Sequence, residues 1–436
     1  MSDSAPVAGE YPPPRIAWGM VALLTLAYLL SYIDRSVLGL LVQPIKADLG
    51  LSDAQIGWLL GPAFAIFYAT IGLPLGWLVD HKSRTRLIAL GVTVWSAATA
   101  ACGMAHGFVQ LFLARMTVGV GEAVLSPAAF SIIGDSFPAE RRARPIAIYS
   151  MAITLGAGIA SLIGAAVLTW AKRSPEITLP LVGTIAPWQA TFLAVGLPGF
   201  VVAIAFLLVR EPRRQPMVGA ADNSLREVLR YVIEHRAQYA LITGIVAAMV
   251  IVAYSQGFLP AAFERRWGWP PEYFARLNGI VSLVVGPAVY LSAGILCDRL
   301  LRAGDNAAPL RIMSLSLIVL VPSGSVAMLM PSAWLAFSVL IVATAAIGAI
   351  SAVGVTALLQ HTPPAIRGQV VALYYMAISL AGLLLGPTTV GYLSTHVVGE
   401  DRLHLAIGAV PVIYGAIPAL FAVLALARRR AQVPTL

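Results

Sequence analysis

Twelve long apolar stretches, each able to cross a bilayer as a helix, decide what class of fold this chain can adopt. A hydrocarbon core of about 30 Å needs roughly 20 helical residues at about 1.5 Å each. The stretches are centred near residues 29, 67, 96, 121, 157, 198, 251, 288, 320, 346, 382 and 416. They are continuously apolar rather than alternating, which excludes a membrane β-barrel. Charged residues make up 11% of 436, where a soluble domain carries about 25%. The expected fold class is an all-α polytopic membrane protein with twelve transmembrane helices.

Lysine and arginine set the orientation. With a cytoplasmic N-terminus, inner segments hold twenty of the 29 and outer loops hold seven; Arg35 and Arg115 lie inside helices. The positive-inside rule then places both termini in the cytoplasm, and the expected location is a bacterial inner membrane. The net charge of +9 follows this topology and faces anionic membrane lipids; no nucleic acid partner is expected. Residues 1–15 read as a polar cytoplasmic tail with no signal peptide. Cys102 and Cys297 fall toward opposite ends of their helices and form no disulfide framework. The six histidines have no metal-ligand spacing, so no metal site is expected.

The longest polar interval lies halfway along, at 210–238. Leu225, Val228, Leu229, Val232 and Ile233 recur at helical spacing within it, which predicts an amphipathic helix on the cytoplasmic membrane surface or packed under the protein. The loop motifs on either side repeat. Gly76-x-x-x-Asp80 corresponds to Gly294-x-x-x-Asp298-Arg299, and Pro138-x-x-x-Arg142 corresponds to Pro363-x-x-x-Arg367. A duplicated six-helix unit follows, with an N-terminal bundle at 16–209, the linker at 210–238, a C-terminal bundle at 239–427 and a cytoplasmic tail at 428–436. In these loops each glycine is expected to allow close helix approach, each aspartate to cap or pair, and each arginine to clamp helix-end carbonyls. Arg84, Arg86 and Asp135 belong to the same set of conformational loop residues.

The segment Gly76-Trp-Leu-Val-Asp80-His-Lys-Ser-Arg84-Thr-Arg86 resembles the loop signature of the major facilitator superfamily, with Ser83 in place of a glycine and His81 in place of an arginine. Arg115-x-x-x-Gly119-x-Gly121-Glu122-Ala123 is similar to its fourth-helix motif. Together with Tyr32-x-Asp34-Arg35, Ser52-Asp53-x-x-x-Gly57 and Phe64-x-x-x-Tyr68, it resembles the spinster branch, which moves lysolipids and sphingosine phosphate. Several of these motifs also occur in symporters of sugar acids. The resemblance implies alternating access by two six-helix bundles around a central cavity. No phosphate-binding Gly-x4-Gly-Lys loop is present, so no nucleotide cofactor is expected, and transport would draw on a gradient.

Asp34, Arg35, Arg115 and Glu122 interrupt apolar helices at about 2.5–3.5 kcal/mol for each charge at the bilayer centre. Arg115 and Glu122 are seven residues apart, roughly 700° of rotation, and so share one helix face about 10 Å apart. Asp34 and Arg115 are expected at depths where they meet. Arg35 points about 100° away from Asp34, one toward a cavity and the other toward a helix. Asp34 and Glu122 are the candidate proton carriers, and Arg35 or Arg115 is the candidate fork for an anion. A permanent structural cluster is the alternative.

The second bundle has no charge inside its helices, and its candidate cavity residues are Tyr254, Gln256, Tyr290, Gln360, Tyr374, Tyr375 and Ser379. A cavity charged on one side and aromatic on the other suits an amphiphilic anion. The favoured function is therefore a proton-linked secondary transporter of such an anion, working as a monomer. A symporter of sugar acids or sugar phosphates is the alternative. A membrane sensor or enzyme is disfavoured because no paired nucleophile and base appears.

Overall fold

A computed structural model describes residues 11–138, 141–174, 177–179, 183–215, 225–363 and 366–431. The outermost parts of both tails and the middle of the linker, residues 216–224, lie outside that set. Twelve candidate membrane spans are found among the described residues. The chain is an integral membrane protein of helical type.

The first span is α1 (Pro14–Leu40), followed by a short α2 (Val42–Leu49). The second is split into α3 (Asp53–Leu60) and α4 (Pro62–His81) at Gly61. A side chain at Gly61 would sit 2.1 Å from the Leu383 carbonyl oxygen, so glycine is what lets another helix press against this break. The third span is α5 (Arg84–Cys102). The fourth is α6 (Phe108–Glu122) and α7 (Leu125–Ser136), interrupted one turn before Pro127, whose ring opposes the carbonyl of Ala123. Spans five and six are α8 (Ala143–Arg173) and α9 (Pro187–Leu208), joined by a small antiparallel hairpin, β1 (Ile177–Leu179) and β2 (Gly183–Ile185), that the apolar pattern does not foretell.

The linker contains α10 (Leu225–Glu234). Val228 on it is buried and the Tyr231 hydroxyl donates to the His361 carbonyl at 3.1 Å, while Leu229 and Ile233 stay exposed. The apolar face expected from the sequence is therefore divided: part packs under the second bundle and part faces outward. Beyond it come α11 (Arg236–Ser255) and α12 (Leu259–Trp267), separated by a 3-10 turn at Gln256–Phe258, and then α13 (Pro271–Arg302) and α14 (Ala308–Ala327). The chain ends with α15 (Ala333–Gln360), α16 (Arg367–Leu393) and α17 (Leu403–Ala431). Helix α16 runs through Pro387 without a break.

Lipid tails are as apolar as leucine, so the bundles cohere by close packing and hydrogen bonds rather than by hydrophobic expulsion. Where α8 crosses α13, Gly158 and Gly279 face each other's carbonyls, each within 2.9 Å of where a side chain would begin. Polar contacts joining the bundles cluster at the end opposite the termini. They include Lys172 to Glu272 at 2.8 Å and a network around Asp53. At the terminal end, polar contacts instead hold each bundle to its own part of the linker.

Candidate functional site

Gly119 and Gly121 bring the charged helices together. A side chain at Gly119 would lie 2.6 Å from the Phe64 carbonyl, and one at Gly121 would lie 2.7 Å from the Gly91 carbonyl. Glycine at both positions seats α6 directly on α4 and α5, and it carries Arg115 and Glu122 inward with it. Both side chains are buried, each residue 2% exposed, on the single face expected from their spacing.

Glu122 meets α1 rather than Arg115. Its Oε2 accepts from Arg35 Nε at 2.6 Å, from Arg35 Nη2 at 2.5 Å and from the Ser31 hydroxyl at 2.6 Å. Ser31 and Arg35 are one turn apart and so approach from the same side. The other oxygen, Oε1, is buried with no hydrogen-bond partner. The Arg35 guanidinium lies 4.5 Å from the Phe64 ring centroid, 5.1 Å from Tyr68 and 5.9 Å from Tyr32. Three aromatic rings thus cradle one cation, each able to contribute about 0.5–2 kcal/mol. The side chain retains 19% exposure against none for Glu122, so Arg35 is the member of the pair open to the interior.

Asp34 points the other way. It is 2% exposed, makes no ion pair among the described residues, and leaves Oδ1 without a hydrogen-bond partner. The expected meeting with Arg115 is made through the backbone: Arg115 Nη1 donates to the Asp34 carbonyl at 3.2 Å, not to its carboxylate. The buried Nε of Arg115 also has no hydrogen-bond partner, and the Thr99 hydroxyl lies beside the Asp34 carboxyl. The quartet therefore resolves into one true ion pair, Arg35 with Glu122, and a separate carboxyl with a cation close by but not on it.

From the second bundle, Tyr254 reaches this cluster, within electrostatic range of Arg35, Tyr68 and Glu122. It is half-buried, as are Gln256 and Ser379. Tyr290 and Tyr375, on α13 and α16, are exposed and near each other. Tyr374 instead packs inside the bundle, its hydroxyl 3.0 Å from where a side chain on Gly354 would begin. Gln360 is exposed at the end of α15.

Residues 24–307 match the model of the Major Facilitator Superfamily. The chain belongs to this superfamily. A solved bacterial homolog of the human lysosomal transporter spinster, in an inward-facing and unoccupied conformation, superposes with a TM-score of 0.81 at 27% identity, covering 95% of this chain and 98% of that one. The probable L-galactonate transporter of Escherichia coli is 27% identical over 322 residues, 70% of this chain and 66% of that protein. Protein spinster of Drosophila melanogaster is 25% identical over 262 residues, 59% of this chain and 39% of that protein. The chain thus spans two thirds or less of the length of these two curated relatives.

The superfamily's loop signature is built around Arg84. This side chain is fully buried and donates to Glu211 at 2.8 Å, to Ser131 at 2.9 Å and to the Pro212 carbonyl at 2.9 Å, and it also pairs with Asp135. Arg214 holds the Val79 and Lys82 carbonyls at 2.6 and 2.8 Å. The start of the linker is thereby riveted to the first bundle. Burial alone would raise the Glu211 carboxyl, but the Ser83 hydroxyl and Arg84 outweigh it and hold it below its ordinary value. Its stabilising contribution is therefore present above about pH 4.5 and is lost as the pH falls through the lowered value. Arg84→Ala strands two carboxylates and is expected to cost about 3 kcal/mol. The check is a lowered thermal midpoint of the purified protein in detergent.

Other loop expectations divide. Arg142 Nε donates to the Phe137 carbonyl at 2.8 Å and Arg367 Nε to the Thr362 carbonyl at 3.1 Å, the same five-residue reach in both halves and the clamp expected from the repeat. Gly76 and Gly294 have nothing within 4 Å of a would-be side chain, so no close helix approach occurs there, because the bundles meet at the other end. Asp80, Asp298, Arg86 and Arg299 are exposed, and neither aspartate's carboxylate makes a bond among the described residues; Asp135 takes the pairing role instead. The aromatic cradle and Ser31 carried no assigned role in the sequence, although Phe64 and Tyr68 stand at an i, i+4 spacing that marks one helix face.

Proposed function

We propose that this protein is a secondary active transporter, working by alternating access with both termini in the cytoplasm, that couples proton movement to transport of an amphiphilic anion. Closure at the end opposite the termini then corresponds to an inward-facing state. The observation that carries the reading is the Arg35–Glu122 pair within its aromatic cradle, with Tyr254 of the other bundle beside it. Both Arg35 contacts to Glu122 use Nε and Nη2, and the Nη1 edge makes no hydrogen bond among the described residues. An anionic head group docking on the Nη1–Nη2 edge competes with Glu122 for the same cation. A proton on Glu122 weakens its hold and favours the substrate; loss of the proton restores the pair and drives release.

Asp34 fits the complementary part. Its carboxyl is buried with no ion pair among the described residues, and Arg115 on its own backbone carbonyl ties it to the helix that carries Glu122. The rings of Tyr290 and Tyr375 suit the apolar part of an amphiphile. The smaller cargo of a sugar-acid symporter is favoured by the likeness to the L-galactonate transporter. Counterflow in proteoliposomes tests both readings, using sphingosine phosphate and lysophospholipids against galactonate and glucarate. Exchange of the lipids supports the first reading, and exchange of the sugar acids alone replaces it with the second. Binding of a candidate with no exchange of any of them defeats transport itself.

A further inference from the structure

The closed end carries a charge network that neither the proton nor the anion chemistry uses. Asp53 is fully buried at the first position of α3. Arg265 of the second bundle grips it with both ends of its fork, Nη1 to Oδ2 at 2.6 Å and Nη2 to Oδ1 at 2.8 Å. Lys46 adds a bond to Oδ1 at 2.9 Å, and the Ser394 hydroxyl adds one to Oδ2 at 2.6 Å. Arg265 is fully committed: its remaining bonds go to the Gln43 side chain at 2.7 and 3.0 Å and to the Glu400 carbonyl at 2.8 Å.

The start of α3 is also completed from across the interface. A helix leaves its first amides without intrahelical partners. Ser52 and Gln55 satisfy one in the usual reciprocal box, with Ser52 Oγ accepting from Gln55 N at 3.2 Å and Gln55 Oε1 accepting from Ser52 N at 2.9 Å. The two before Gln55 are satisfied by the other bundle. Asp53 N donates to Glu400 Oε1 at 2.8 Å, and Ala54 N donates to the Thr395 hydroxyl at 2.9 Å. Thr395 in turn donates to Glu400 Oε1 at 3.0 Å, and Lys46 pairs with the other Glu400 oxygen.

We propose that Asp53, Arg265, Glu400 and Thr395 form the gate at this end, and that parting the bundles here uncaps α3. The second bundle acts as an N-cap in trans for a helix of the first. Separation breaks the bidentate pair and strips two amides of their acceptors in one step, so the gate opens as a unit. The break at Gly61 makes α3 a short separate segment, which confines the uncapping to it and leaves α4 and the Arg35 cradle in place. The device is one-sided: at the other end the comparably dense Arg84 cluster lies within one bundle and its linker, and it crosses no gate.

Two readouts test this without any transport assay, so its failure is distinct from failure of the proposed function. Spin labels at Met104→Cys and Leu329→Cys, with Cys102 and Cys297 replaced by alanine, report the separation of the bundles at the closed end. Arg265→Gln should add a longer distance component and speed amide exchange at Asp53 and Ala54 at least tenfold. Thr395→Val keeps the side-chain shape and leaves the ion pair intact, so it should speed exchange at Ala54 while the distances stay at the wild-type values. If both variants leave exchange in the first turn of α3 at the wild-type rate, the gate is not built this way. Unchanged distances in Arg265→Gln overturn its locking role.

Discussion

Asp34→Asn is expected to abolish the pH dependence of transport while substrate counterflow persists. Asparagine keeps the shape of the side chain, and the Arg115 bond to residue 34 goes to the backbone carbonyl, which the substitution leaves untouched. What disappears is the carboxyl proposed to carry the proton, buried at 2% exposure and free of an ion pair among the described residues. Uptake driven by an inward proton gradient should fall by at least about tenfold, the equivalent of about 1.4 kcal/mol of coupling. Exchange at equal pH, which needs only binding and rocking, should stay within a few-fold of wild type. Glu122→Gln should behave differently, because it also breaks the one ion pair of the cluster and leaves Arg35 free to hold an anion. Its counterflow should slow as release becomes rate-limiting. If pH-driven uptake survives in both variants, proton coupling does not run through these carboxyls.

The twelve spans, the paired Arg142 and Arg367 clamps and the buried quartet were legible because each rests on local signals: unbroken hydropathy, a repeated loop motif, and charges where charges are costly. Pairing within the quartet was not legible. Helical rotation correctly puts Arg115 and Glu122 on one face and turns Arg35 away from Asp34. Depth along separate helices is uncertain by a turn, however, and one turn decides whether an arginine finds a carboxylate or a backbone carbonyl. Gly119 and Gly121 set that depth by seating α6 on α4 and α5, a constraint that spacing within one helix does not carry. The gate was hidden for a related reason. Lys46, Arg265 and Glu400 look like ordinary loop charges until two bundles, joined through a long linker, bring them onto Asp53. Gly76 and Asp80 show the converse: their motif was plain in the sequence, but Gly76 meets no neighbouring helix and Asp80 is exposed, because the bundles join at the other end.

Arg35→Lys should be as damaging to substrate binding as most charge-removing changes, although it keeps the charge. Lysine offers a compact ammonium with no planar fork. It cannot present one edge to Glu122 Oε2 while the other faces a ligand, and it loses the guanidinium's place over the Phe64 and Tyr68 rings at 4.5 and 5.1 Å. A charge-assisted hydrogen bond is worth about 1.5–3 kcal/mol, so losing one from the bound anion weakens Kd by roughly 10- to 150-fold. Arg115→Lys is the matched control. That arginine is fully buried and bonded to a carbonyl, so its replacement should lower thermal stability far more than affinity. Titration of both purified variants with the anion identified by counterflow separates the two roles. Equal losses of affinity in the two would place the anion between both arginines, and loss in Arg115→Lys alone would move the binding fork from α1 to α6.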